Sequence, residues 1–513
     1  MKASKRQEKV YEVWEKEDSN ILLSACAGSG KTTTLMHIMS IHKKPSLFLA
    51  FNKSIQEEIT NKIEEKEFSS FAEAKTLHSL GFSSIRRSFK KKIKVDNNKS
   101  FEIAKIVQKK NREIFKLYPT SKHINIILTL VDMYDVSRNF LTIDVEEILS
   151  NLIVMDKFPF DFENSKLKNY AYSSFENEDE FEEEDVLSIL WKSFLEEANK
   201  FYNKSTLVID FNDMIFIPLY FGLEIPVKPT YLFVDECQDL NICQHKFIDK
   251  LIVQGDIEKW VAAGDKHQAI YGFSGSYSGS FDLFKTKGNV MELPLDICYR
   301  CPSSVVEVAN EVFDIMTGFK KDKGIVGTIT DINDIKDNSL IVCRNTSPLL
   351  TLYFKLISNH KACYIKGEEI HKSIAKFCKN YAGMSIPDAI NDMHIQSDKL
   401  SKVNTDLGRA KHYKYKENFE NFLILKHALK PKRIGDLLTM LDNIFKEKDG
   451  AIVLSTIHKS KGLEEDVVYI LDEHLIPSKM ARSQEQLIQE QNLKYVARTR
   501  AKKELYFINS EEL

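Results

Sequence analysis

Little in this chain breaks regular structure. Among 513 residues there are only 19 glycines and 12 prolines. No Pro- or Gly-rich linker, low-complexity tract or internal repeat is visible, so folded domains must fill the length. Formal net charge is −2, which excludes a globally basic nucleic-acid binder; such a partner would need a local basic track. The lysine-rich stretches Lys90 to Lys94, Lys109 to Lys116 and Arg409 to Lys416 each read first as solvated faces. The acidic run Glu176 to Asp185 reads as a solvated loop or helix start. No apolar run is long enough to span a bilayer and no secretory pattern opens the chain, so no membrane partner is expected. The eight scattered cysteines suit buried thiols in a reducing compartment, cytoplasmic with a nuclear or nucleoid-associated alternative. Cys298 and Cys301 make one CxxC without a second pair, short of the four ligands a zinc site needs.

What is present is concentrated in a few short runs. Ile21-Leu22-Leu23 leads into Ser24-Ala25-Cys26-Ala27-Gly28-Ser29-Gly30-Lys31-Thr32-Thr33-Thr34-Leu35, the strand–loop–helix setting of a P-loop. Glycines let backbone amides turn inward around phosphate oxygens, and the helix N-terminus adds partial positive charge. Ala27 to Thr33 would form the cradle. Lys31 would reach the β- and γ-phosphates of ATP, and the Thr32 hydroxyl would ligate Mg²⁺. Ala25 stands where the general pattern has glycine.

Tyr231-Leu232-Phe233-Val234 reads as a buried strand delivering Asp235-Glu236-Cys237-Gln238-Asp239. Asp235 would hold Mg²⁺ and Glu236 would orient or deprotonate the attacking water. Short apolar strands alternating with helical stretches predict parallel α/β sheets. Ser46–Phe51, Tyr231–Val234 and Trp260–Ala263 should join the P-loop strand. Ser339–Cys343, Ala451–Thr456, Asp466–Leu471 and Glu504–Ile508 should form a second sheet. Helix-like stretches interrupt both. The expected division is a first α/β domain over 1–86 and 207–280 with a helical insertion at 87–206. A second domain would cover 281–370 and 451–513, with a reduced helical insertion at 371–450.

Further runs follow in order: Ala263-Gly264-Asp265-Lys266-His267-Gln268-Ala269-Ile270-Tyr271-Gly272-Phe273, Leu295 to Arg300, Thr456-Ile457-His458-Lys459-Ser460-Lys461-Gly462-Leu463-Glu464, and Tyr495 to Lys502. With the P-loop, DECQD, Gln7, Thr76-Leu77-His78-Ser79 and Asp210-Phe211-Asn212-Asp213, this set resembles superfamily 1A DNA helicases of the UvrD/Rep/PcrA type. Ala50 to Ser54 and the compact layout look nearest the F-box DNA helicase core, although no F-box is recognisable.

The resemblance implies two RecA-like domains. It also implies that Gln7 reads adenine, Tyr299 stacks on it, Glu464 contacts the sugar and Gln268 senses the γ-phosphate. Arg300 and Arg500 would be arginine fingers, a role suited to a permanently charged planar group. Phe51, Thr76, His78, His458 and Lys461 would contact DNA, with Tyr271 and Phe273 stacking on bases. The sequence departs from the family at Ser274, where arginine is common, and at Arg498, usually apolar and a second finger candidate. The implied activity is ATP-driven 3′-to-5′ movement on single-stranded DNA and 3′-tailed duplexes, with a nuclease or recombination protein as a conceivable partner. Two alternatives remain: an ATPase that strips proteins from DNA with little unwinding, and a partner-binding P-loop scaffold.

Overall fold

The computed structural model describes residues 3–155, 157, 186–272, 275–402, 406–481 and 483–513. The acidic run ending at Asp185, and both Phe273 and Ser274, lie outside the described residues.

The strands in chain order are β1 (Asn20–Ala25), β2 (Ser46–Ala50), β3 (Ala72–Thr76), β4 (Lys92–Val95), β5 (Thr206–Ile209), β6 (Tyr231–Val234), β7 (Lys259–Gly264) and β8 (Val290–Leu295). They continue as β9 (Ile297–Cys298), β10 (Thr317–Gly318), β11 (Ile325–Ile329), β12 (Leu340–Cys343), β13 (Cys363–Lys366), β14 (Ile452–Thr456), β15 (Glu465–Leu471) and β16 (Ala501–Ile508). Two six-stranded parallel sheets result, ordered β3-β2-β6-β7-β1-β8 and β11-β16-β15-β12-β14-β13. These are the two RecA-like domains.

Both faces of each sheet are covered, which is why its strands read as continuous apolar runs. In the first sheet Ile21, Leu23, Phe48 and Phe233 enter one core, while their neighbours Leu22, Leu47, Leu49 and Leu232 enter the other. In the second, Ile341 and Cys343 face one way and Leu340 and Val342 the other. That is the two-residue period of a strand.

The predicted strands all form, and four more join the two sheets. The edge strands β3, β11 and β13 are not among the expected ones. Strand β8 pairs with β1 from Asn20↔Val290 to Ala25↔Leu295, so the first sheet extends past the boundary drawn at residue 280. The first insertion contains helices Lys99–Lys110, Arg112–Lys116, Thr120–Phe140, Val145–Val154 and Val186–Tyr202, and β4 pairs with β5 at its base. The second contains helices Glu368–Lys379, Ile386–Ser401, Asp406–Leu429 and Ile434–Phe445. All eight cysteines are buried free thiols. No described helix is long and apolar enough to cross a membrane.

Candidate functional site

The P-loop, the DECQD run and the Gln268 run leave the carboxyl ends of β1, β6 and β7, adjacent strands in the order β6-β7-β1. Ligands of open parallel sheets bind at such ends. Gly28 and Gly30 have φ of 67° and 78°, left-handed values that glycine adopts without strain. Gly28 also answers a close approach: a Cβ there would lie 2.5 Å from Arg300 Cβ. Helix Lys31–His42 begins at Gly30 without a side-chain cap, leaving its first amides for an anion. The Ser29 hydroxyl is buried without a hydrogen-bond partner, as expected of a donor placed for a phosphate oxygen. Lys31 Nζ lies 3.7 Å from Glu236 Oε1. Burial disfavours its charge, but Glu236, Asp265 and Asp235 outweigh that and raise its pKa. Thr33 is exposed on the helix's first turn.

The metal half is compact. Thr32 Oγ1 donates to Asp235 Oδ2 at 3.1 Å. Burial and the charge of Glu236 push the Asp235 carboxyl up, a cost that a cation between Thr32 and Asp235 would relieve. Two hard oxygen donors fit Mg²⁺, which keeps waters and phosphate oxygens as its other ligands. Glu236 opposes burial with Lys31 and Lys461 and stays ionised well below the usual range. Its backbone is strained, with φ of 51°, a feature that concentrates at active sites. Gln238 Nε2 donates to Glu236 Oε2 at 2.7 Å, and Gln238 Oε1 accepts from the Asp265 amide at 3.0 Å.

Gln7 donates from Nε2 to Thr34 Oγ1 at 3.1 Å, and its Oε1 accepts from the Ser4 amide at 3.1 Å and the Tyr299 hydroxyl at 3.5 Å. These contacts orient its amide beside the Tyr299 ring.

From the second domain, Arg500 Nη2 donates to Gln268 Oε1 at 3.4 Å, while Gln268 Nε2 donates to Asp265 Oδ2 at 2.7 Å. Burial and the nearby Arg300 depress Arg500 to about 10, so it remains charged at neutral pH. Arg300 Nη1 donates to the Thr499 carbonyl at 3.2 Å, and its Nε pairs with Glu464. Glu464, expected on the nucleotide sugar, here holds Arg300 and lies 3.5 Å from Lys502 Nζ. Arg498 is removed as a finger: its guanidinium donates to Glu473 at 2.8 and 2.9 Å, to Glu311 at 2.7 Å and to the Val308 carbonyl at 2.6 Å. Those partners lie within its own domain and engage all three of its nitrogens.

The expected DNA-contacting residues divide. Phe51 and Tyr271 stack with centroids 5.9 Å apart, and His78 meets the Phe211 ring edge-on at 5.9 Å. A cavity lined by Phe51, Leu77, His78 and Asp235 joins this face to the metal side. The Thr76 hydroxyl instead caps helix Leu77–Ser88 by accepting from the Ser79 amide at 3.1 Å. Lys461 points between the domains. Its ammonium donates to Asp239 Oδ2 at 2.5 Å and the Gln268 carbonyl at 2.7 Å, and lies 4.7 Å from the Tyr271 centroid. His458 is half-buried, and burial with Arg344 and Lys459 lowers its pKa, keeping it neutral.

Sequence reasoning gave no role to three groups here. The Tyr495 hydroxyl accepts from the Ala27 amide at 2.9 Å and donates to Asp265 Oδ2 at 3.4 Å, bridging the second domain to the P-loop. Asp265 and Gln238 complete the network. All three sit inside the conspicuous runs, the only signal that could have found them.

Residues 4–288 match the UvrD/REP helicase N-terminal domain and residues 368–512 the UvrD-like helicase C-terminal domain. The chain is 24% identical over 528 residues to F-box DNA helicase 1 of Gallus gallus, covering 96% of this chain and 47% of that protein. It is 24% identical over 535 residues to F-box DNA helicase protein 1 of Schizosaccharomyces pombe, covering 94% and 55%. ATP-dependent DNA helicase Rep of Buchnera aphidicola (subsp. Acyrthosiphon pisum) is 32% identical over 141 residues, 27% of this chain and 20% of that protein. The chain thus spans about half the length of the two F-box relatives.

Proposed function

Because the chain belongs to the UvrD/REP helicase family, we propose that it is an ATP-dependent DNA helicase or translocase moving 3′ to 5′ on single-stranded DNA. One observation carries this reading: Arg500, from the second domain, reaches Gln268 at the end of β7. A site built from both domains is complete only when they meet, so nucleotide turnover and domain motion are coupled. Lys31 and Ser29 would hold phosphates. Thr32 and Asp235 would hold Mg²⁺, which supplies charge neutralisation on the phosphates. Glu236 would take the proton of the attacking water, and Arg300 and Arg500 would neutralise charge on the transferred phosphoryl group. Gln7 and Tyr299 would hold adenine. Phe51, Tyr271, His78 and His458 would grip the strand, and the 3′-to-5′ direction rests on family resemblance. A partner-binding scaffold would need neither the strained Glu236 nor a finger from the second domain.

Glu236→Gln tests the reading. The carboxamide keeps shape but cannot take a proton, so ATP binding should persist while hydrolysis stimulated by single-stranded DNA is lost. Hydrolysis at the parent rate would overturn the assignment. Turnover indifferent to DNA across a salt series would remove the DNA motor, because phosphate contacts are salt-sensitive.

A further inference from the structure

The segment from Asp296 to Pro302 carries two thiols that the proposed reaction does not use. Cys298 ends β9, and Cys301 precedes Pro302 and helix Ser303–Asn310. Both are 0% exposed. The Cys301 amide lies 3.4 Å from Cys298 Sγ and donates to it. Tyr299 and Arg300, the proposed adenine platform and finger, are the two residues between them. The pair also touches both sides of the nucleotide site. Cys298 Sγ lies 3.3 Å from where a Cβ on Gly28 would stand. Cys301 Sγ approaches the Thr499 carbonyl at 3.7 Å, the acceptor Arg300 also uses.

We propose that Cys298 and Cys301 form a peroxide-sensitive dithiol site whose disulfide displaces Tyr299 and Arg300 and shuts down nucleotide turnover. The switch rests on the roles given above to those two residues. Thiolate character follows the same geometry. The Cys301 thiol, the amides of Cys301 and Arg300 and the Arg300 charge outweigh burial and bring Cys298 down to about 6. Cys26, Cys237, Cys243, Cys343, Cys363 and Cys378 are all raised, chiefly by burial.

The oxidant is hydrogen peroxide, small enough for a site covered by the Gly28 turn. The Cys298 thiolate attacks one peroxide oxygen and the O–O bond breaks, giving a sulfenic acid and hydroxide, which leaves as water after taking a proton. Cys301 sulfur then attacks the sulfenic sulfur, the S–O bond breaks, and a second water carries away the Cys301 proton. Two thiols are oxidised to one disulfide and one peroxide is reduced to two waters. Closing that ring pulls Cys301 off Thr499 and turns the backbone that carries Arg300.

The experiment uses the whole reduced chain, hydrogen peroxide, intact mass with peptide mapping, and ATP turnover. The expected product has lost two hydrogens, gained no oxygen and links Cys298 to Cys301. Turnover should fall about 10- to 100-fold, the scale of an ångström-sized misplacement, and return with dithiothreitol. Cys301→Ser should remain active and, under peroxide, add oxygen at Cys298 without forming this link. A pair that stays reduced while other cysteines oxidise overturns the proposal. So does a disulfide that leaves turnover unchanged. If the reduced chain hydrolyses no ATP, affinity for a fluorescent ATP analogue replaces turnover, so failure of the enzyme reading is separated from failure of the thiol site.

Discussion

In the first insertion, Ile103, Leu130, Trp191 and Phe194 belong to a core that contains no residue of either large sheet. In the second, Phe422, Leu437 and Leu441 share one core with Ile341, Leu349 and Leu454 of the second domain. The first insertion is tied to its domain by a small apolar cluster, Tyr202 with Ile85, Met214 and Ile217, and by a buried ionic network. Arg138 Nη1 donates to Asp210 Oδ1 at 2.6 Å and Asp213 Oδ1 at 2.8 Å. Lys99 pairs with Asp213, and the Tyr202 hydroxyl donates to Asp213 Oδ1 at 3.1 Å. Lys99 and Asp213 are 0% exposed and Arg138 1%. Asp210 and Asp213 form the capping box of helix Phe211–Tyr220 in the first domain. A nearby tie, Asn241 to Asn139 at 3.1 Å, brings the same insertion helix to the end of the DECQD run. Hydrogen bonds are directional and apolar contact is not. The first insertion is thus set at a defined angle beside the metal carboxylate, while the second extends its domain's core.

The largest effect should come from Arg138→Met. Two buried carboxylates would keep neutral donors but share Lys99 as their cation, and removing one partner of a buried ionic group costs about 3–5 kcal/mol. Hydrogen exchange should show protection lost over 99–140 and 186–220 while 371–445 is unaffected. Equal loss in both insertions would break the comparison.

Phe422→Ala should cost a similar amount, about 3–5 kcal/mol, with the opposite distribution. The helices over 368–445 and the strands β12 and β14 should lose protection together, because they share the core that Phe422 fills. Loss confined to the helices would show that the second insertion has a core of its own.

The sheets and the phosphate site were legible in the sequence because their determinants are local. A buried parallel strand is an apolar run, and a phosphate cradle is a few consecutive backbone amides and one lysine. The ionic tie was not legible, since Lys99 and Asp213 are 114 positions apart and nothing local marks a lysine as buried. The same holds for Lys461, whose ammonium finds Asp239 across the domain seam, and for Tyr495 on the Ala27 amide. Strand β8 was missed because its exposed Glu292 and Pro294 interrupt the apolar run at an edge position. Glu464 and Arg498 are polar residues in conspicuous runs, and only the fold shows which partners hold them.

Lys99→Met should have a smaller effect than Arg138→Met. Asp213 would keep Arg138, Tyr202 and the Asp210 amide, which donates at 3.0 Å. The loss is then one charge-assisted hydrogen bond, about 1.5–3 kcal/mol, offset in part because burial already disfavours the Lys99 charge. Urea midpoints of the two variants decide it. A Lys99→Met cost equal to that of Arg138→Met would mean that the four groups act as one unit.

Mild acid should give the smallest effect and separate the ionic tie from the buried first domain. His245 Nε2 donates to Ser280 Oγ at 2.8 Å, and that hydroxyl donates to the Cys237 carbonyl at 2.6 Å. His245 Nδ1 is buried without a partner. Burial, then Lys287 and Lys246, depress its pKa to about 3, against about 6.5 in an unfolded chain. Below pH 6.5 the unfolded state binds a proton that the folded state refuses. Stability contributed by neutral His245 is therefore full above pH 6.5 and falls by up to about 1.4 kcal/mol per pH unit towards 3. Asp210 titrates in the opposite regime. Burial raises its pKa, but Arg138 outweighs that and holds it below the ordinary value of 3.8. Its contribution is full above the unfolded value and is lost only as pH falls through the folded one. Between pH 6.5 and 5.5 the ionic tie should therefore keep its exchange protection while helices Ile242–Gln254 and Ser280–Leu283 lose theirs. His245→Gln should flatten that loss. Protection that falls first at Lys99 and Arg138 would mean that the tie, not the histidine, is the acid-sensitive element.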